Sequence, residues 1–95
     1  MSDQINDIDN LFRLRTNLVG EISQTNAEHM RILQLSSGIE VQLMNDHDST
    51  EAIKKKSDVE AKISSSLAQL EKLDAELAKI DSLIKIALNK EAEND

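Results

Sequence analysis

The sequence predicts an all-α fold: two long helices in an antiparallel helical hairpin or coiled coil, completed as a bundle by self-association or a partner. Three observations carry that reading. The first half holds two interleaved eleven-residue rows, Ile8, Val19, Met30 and Val41 in one, Leu11, Ile22, Leu33 and Met44 in the other, and every member is apolar. Eleven residues make three turns at about 3.67 residues per turn, so each row runs nearly straight along a helix, with slight right-handed drift. The second half repeats in heptads instead. Between the halves, Asn45-Asp46-His47-Asp48-Ser49-Thr50 is a polar cluster that breaks both periodicities.

The first helix is expected over about residues 5–44. Its eleven-residue rows pass undisturbed through Ser36-Ser37-Gly38, which otherwise looks like a break. A rival reading takes residues 33–43 as a β-hairpin insert between shorter helices, because Ile39-Glu40-Val41-Gln42-Leu43 alternates. That plan would resemble a reduced prefoldin subunit. Gly20 and Gly38 each cost a helix about 1 kcal/mol and mark soft points.

The turn is expected at residues 45–49. Asp48 followed by Glu51 has capping-box spacing, with Asp replacing the usual Ser or Thr, and would start the second helix. That helix is expected over about 50–90. Val59, Ile63, Ser66, Leu70, Leu73, Leu77, Ile80, Ile84 and Ala87 alternate steps of four and three, the spacing of a coiled-coil seam. Glu51–Lys55, Asp58–Lys62 and Asp81–Lys85 stand at i,i+4 with the acid first, the favourable order. The acidic tail, residues 91–95, is expected to fray. Two rods of roughly 60 Å each, joined by a few residues, fold back on one another most simply as one domain, 1–95.

Composition narrows the function classes. The chain has 95 residues, no Cys, Trp, Tyr or Pro, a single Phe and a net charge of −7. The missing aromatics disfavour β-sandwiches and barrels. The negative charge disfavours nucleic acid or an anionic membrane as partner. Absent Cys removes disulfides and thiolate metal sites. The N-terminal Met-Ser-Asp-Gln-Ile-Asn-Asp lacks the apolar stretch of a signal peptide, and no apolar run reaches the ~20 residues of a membrane span. The expectation is a soluble intracellular protein, cytoplasmic or nuclear.

Residues for catalysis are not found. His29 and His47 lack the spacing of a zinc-binding helix, and His29, beside the apolar stripe, reads as a packed neutral imidazole. Asp46, His47, Asp48 and Glu51 read as caps and solvated charge. Lys54-Lys55-Lys56 has no interleaved aromatics and reads as a solvated face. Ser64-Ser65-Ser66 reads as a small patch permitting close helix approach. No catalytic, cofactor or metal site is expected, and no small-molecule substrate.

The apolar positions exceed what one hairpin covers. Leu14, Leu18, Ile32, Leu35, Ile39 and Leu43 lie outside the two rows of the first helix, and Leu67, Leu83, Ile86 and Leu88 outside the seam of the second. The expected interface with a partner or second copy comprises both rows together with Ile63, Leu70, Leu73, Leu77, Ile80 and Ile84. A third row, Gln4, Arg15, Asn26 and Ser37, runs near the middle of that face. Either these groups snorkel at the stripe's edge, or Arg15 and Asn26 are buried and select register or partner. In the second case Asn26 could pair with itself across a dimer axis, and Arg15 would need a carboxylate from the second helix or a partner.

The expected function is therefore a non-enzymatic assembly subunit or scaffold, a homo-oligomer or one of several coiled-coil subunits. Small acidic hairpins of this length are similar in style to subunits of kinetochore ring complexes, lysosome-biogenesis-type complexes and phage assembly chaperones; the likeness is architectural, and no motif singles out one of them. Alternatives are a holdase-like chaperone gripping clients with its Met-bearing stripe, and an acidic mimic filling a basic groove. The scatter of Asp3, Asp7, Glu21, Glu28 and Glu40 around the first helix weakens the mimic. Leu77→Asp, at the centre of the heptad, is expected to abolish helicity and any oligomer together in circular dichroism and light scattering. Retained helicity at monomeric mass would sink the hairpin as drawn.

Overall fold

The computed structural model describes residues 2–94, and the side-chain surroundings of residues 7–93. Helix α1 (Ser2–Asn45) and helix α2 (Thr50–Asn94) pack as a hairpin, and there is no strand among the described residues. Both helices run longer than the expected 5–44 and 50–90. Residues 91–94 continue α2, where Lys90, Glu91, Ala92 and Glu93 are good helix formers. Asp95 lies outside the described residues.

The β-hairpin insert is overturned. Residues 33–43 are helical throughout, with no positive φ at either glycine, and the Ser37 hydroxyl donates back to the Leu33 carbonyl (3.2 Å). The alternation of Ile39, Val41 and Leu43 is coincidental, since only Ile39 is buried and Val41 is exposed.

The turn is tight. Asp46 N–H still donates to the Gln42 carbonyl (2.9 Å), ending α1, and Ser49 N–H then donates to the Asp46 carbonyl (3.2 Å). The Asp46 carboxylate accepts from Asp48 N–H (3.3 Å), an Asx contact that reverses the chain. Ser49, not Asp48, caps α2. Its hydroxyl accepts from Ala52 N–H (3.2 Å), and its carbonyl accepts the first helical bond, from Ile53 (3.0 Å). The expected box was one residue out of register: from Ser49, the third helical position is Ala52, so Glu51 is left to pair with Lys55 (3.0 Å).

The chain forms two compact units, Gln24–Leu70 around the turn, and Met1–Ser23 with Glu71–Asp95. In the turn unit, Thr25, His29, Ile32, Ser36, Ile39 and Leu43 of α1 point inward, against Ala52, Val59, Ile63, Ser66 and Leu70 of α2. The His29–Ser66 contact fixes the register there and, by heptad steps, sets Ile32 level with Ile63 and Thr25 level with Leu70. In the terminal unit, Ile8, Leu11, Arg15, Leu18 and Ile22 face Leu73, Leu77, Ile80, Ile84 and Ala87. Every step in α1 is three or four residues, so α1 carries a heptad seam like that of α2, where a step of seven separates Ala52 from Val59.

The seam is thin. Among the described residues only Ile8, Leu18, Ile39, Ala52, Val59, Leu73 and Ile84 are buried, and none of them is a large side chain wholly out of water. A Cβ built on Gly38 meets nothing within 4 Å, so Gly38→Ala should raise stability by roughly 0.5–1 kcal/mol through backbone entropy alone. Leu73→Ala should lower it by about 2 kcal/mol or more, because Leu73 is 3% exposed and a two-helix seam has no second layer to close the gap. Thermal melts followed by circular dichroism check both, and equal melting temperatures for the two variants would contradict the seam.

Candidate interaction surface

The two eleven-residue rows do not form the seam. At the coiled-coil repeat of 3.5 residues per turn, eleven residues overshoot three turns by about 50°, so each row winds away from the partner helix. Exposure climbs accordingly, from 8% at Ile8 to 42% at Val19 and 58% at Met30, with Val41 also exposed. The second row starts half-buried at Leu11 and Ile22 and ends at Leu33 and Met44, the latter 82% exposed. The periodicity does mark one unbroken helix. The seam itself uses Leu18, Ile32, Ile39 and Leu43, residues the rows leave out, along with the polar Arg15, Thr25, His29 and Ser36.

The structure therefore divides the expected interface residues into two groups. Ile8, Leu11, Ile22, Ile63, Leu70, Leu73, Leu77, Ile80 and Ile84 join the helices to each other. Val19, Met30, Leu33, Val41 and Met44 stand exposed beside the seam. Phe12 and Leu88 in the terminal unit, and Ile53 and Leu67 in the turn unit, are exposed on the same flank of their pairs. Leu14 and Leu83 lie on the opposite flank of the terminal unit, and Leu35 on that of the turn unit. There Leu35 and Ile32 floor an open groove edged by Glu28, Arg31, Gln34 and Lys62.

Two of the polar seam positions of α1, Arg15 and His29, have partners on α2. Arg15 Nε donates to Asp81 Oδ1 at 2.7 Å, so the carboxylate that Arg15 needs comes from α2. Asp81 is thereby turned toward Arg15, and neither it nor Asp58 forms its expected i,i+4 ion pair. Both side chains of the Arg15–Asp81 pair remain nearly half exposed, so water screens it and its contribution is small. Asn26 is exposed and faces no group of its own hairpin. Gln4 lies outside the residues whose side chains are described.

His29 is the seam residue that sequence reasoning placed beside the stripe. Its Nδ1 contacts the Ser66 hydroxyl, which in turn donates to the Ile63 carbonyl (3.1 Å). This chain of bonds lets two polar residues occupy one seam layer. No buried side-chain nitrogen or oxygen lacks a hydrogen-bond partner among the described residues. At the turn, the Asp46 carboxylate serves the backbone and Glu51 serves Lys55. The described residues contain no cluster of three potential metal ligands. No described helix is long and apolar enough to cross a membrane.

Filling the Arg15 position with an apolar side chain should strengthen a layer level with Ile80. Arg15→Leu is expected to raise the melting temperature, whereas Asp81→Asn should lower stability by no more than about 0.5–1 kcal/mol, and less in 1 M salt. A large salt-resistant loss in Asp81→Asn would show the pair to be a principal clamp. In comparison with known proteins, no family model, no curated protein and no solved structure matches the chain, so its surface is interpreted from its own geometry.

Proposed function

We propose that this protein is a non-enzymatic coiled-coil assembly subunit, a soluble intracellular helical hairpin whose exposed apolar flank takes up another protein helix. One observation carries the reading. After α1 and α2 have paired, thirteen large apolar side chains stay exposed among the described residues, more than the seam buries there. Phe12, Val19, Met30 and Leu33 share one flank of α1, and exposed apolar residues gathered on one side of a small protein mark an interaction site. On α1 these apolar groups belong to a row spaced by three and four residues, with the uncharged Thr16, Ser23 and Asn26 between them, which suits another helix better than a small ligand. Nothing in the pairing of Arg15, His29 and Ser66 calls for substrate, since each is satisfied within the hairpin.

A second reading has its own support. Met30 and Met44 are both exposed, and Met-bearing surfaces adapt to varied partners, as a holdase-like chaperone requires. Light scattering and a circular dichroism melt on the purified chain, with an apolar dye added to a parallel sample, separate the two. The assembly reading expects either a cooperative helical oligomer that excludes the dye, or a chain that needs a captured partner to become cooperative. A cooperative helical monomer that binds the dye strongly would replace it with the holdase reading.

A further inference from the structure

Helix α1 carries a second heptad row, distinct from its seam. With Ile8, Arg15, Ile22, His29, Ser36 and Leu43 as a and Leu11, Leu18, Thr25, Ile32 and Ile39 as d, the e and b positions from residue 12 onward are Phe12, Thr16, Val19, Ser23, Asn26, Met30, Leu33 and Ser37. All eight are exposed, and none is charged over 26 residues of a strongly acidic chain. The equivalent row of α2 is different. It contains Glu60, Glu71, Asp74 and Asp81. An uncharged row with coiled-coil spacing is thus a property of α1 alone, and it is fitted to a helix.

We infer that the helix is α1 of a second copy, running antiparallel about a two-fold axis between residues 24 and 25; this rests on the assembly reading above. The row is complementary to its own reverse. Phe12 falls opposite Ser37, Leu33 opposite Thr16, Val19 opposite Met30, and Ser23 opposite Asn26, each pair occurring twice. Every layer joins an e to a b position, the pairing α1 and α2 use between a and d. Bulky residues meet small ones at Phe12–Ser37 and Leu33–Thr16, as interdigitation requires.

The hydrogen bonds select this register. The Thr16 hydroxyl already donates to the Phe12 carbonyl (3.0 Å), and the Ser37 hydroxyl to that of Leu33 (3.2 Å), so both tolerate an apolar neighbour. Ser23 and Asn26 have no such bond among the described residues, and they are the two that face each other. The Asn26 amide can donate to the Ser23 hydroxyl, which satisfies both groups when water is excluded. A shift by one heptad sets Asn26 against Met30 or Thr16, and brings Glu40 or Asp9 into the paired row. Asp9 and Glu40 instead bound the interface at its ends, where they face each other and stop it.

Gly20 agrees with this placement. It lies at f, at the edge of the row with Ala27, and a Cβ there would meet nothing within 4 Å in its own hairpin. A second helix at that edge can approach closely because Gly20 and Ala27 are small.

The absence of Cys makes the test direct. Ser23→Cys and Asn26→Cys are prepared singly in the full chain, mixed and oxidised, and wild-type mass is measured by light scattering. The expected result is a dimer in which the mixed disulfide between positions 23 and 26 forms in preference to either like pair, since disulfide geometry is narrow. Val19→Glu should give a monomer of undiminished helicity, because Val19 is already exposed in the hairpin, while Leu83→Glu on the opposite flank leaves the mass unchanged. An oligomer that survives Val19→Glu, or that links 23 to 23 and 26 to 26, overturns the register and leaves the assembly reading standing. A monomeric or polydisperse wild type overturns self-pairing. If that monomer is folded and binds an apolar dye, the assembly reading falls with it.

Discussion

Everything in this protein is arranged around a heptad seam only two helices deep. Each layer brings one or two side chains from α1 against one or two from α2, so a residue is sheltered on one side and faces water on the other. Leu73 and Val59 are nearly covered, while neighbours such as Leu70 and Ile63 are only half so. A thin seam gives little stabilisation per layer and imposes a strict geometric rule, since only the 3.5-residue repeat keeps two helices in contact over this length. Polar residues can then enter the seam if they are paired locally. Arg15 reaches Asp81 at its edge, and His29 passes a hydrogen bond through Ser66 to the Ile63 carbonyl.

The polar layers also set alignment. A purely aliphatic seam tolerates sliding by a heptad at modest cost, because one Leu or Ile layer resembles the next. A shift by one heptad either way sets His29 against Val59 or Leu73, leaving its imidazole facing an aliphatic side chain. The turn agrees with that match, its length set by the Asp46 contacts and the Ser49 cap. Local turn chemistry and long-range pairing thus specify one register, a consistency that favours a single folded state.

How much could be read from the sequence differs between the two helices for a physical reason. From Val59 onward in α2 only Ser66 and Ala87 interrupt a row of large aliphatics, so the seam was plain and every expected position points inward, while the buried Ala52 before it went unread. In α1 the seam contains Arg15, Thr25, His29 and Ser36, while Val19, Met30, Leu33, Val41 and Met44 lie outside it. Hydrophobicity alone therefore traced a path that drifts off the contact line. The omitted signal was that Leu18, Ile22, Ile32, Ile39 and Leu43 share one heptad frame, whose three-and-four steps are completed by the polar Thr25, His29 and Ser36. The polar cluster located the turn, and the cap fell one residue later than expected because Ser49, not Asp48, offers its oxygen to Ala52 N–H. The Arg15–Asp81 pairing needs the hairpin register and is not visible in either helix by itself.

The turn has a kinetic corollary. His29 and Ser66 are 37 residues apart along the chain, whereas Arg15 and Asp81 are separated by 66. Closing the longer loop from an open chain costs more entropy, yet once the helices near the turn are paired the remaining segments are held close together. Pairing therefore propagates from Ser49 outward, layer by layer, and the last layers to form are the first to open. The layers of Ile8 with Ala87 and Leu11 with Ile84 therefore exchange their amide hydrogens sooner than those beside the turn, and a protease would enter there first.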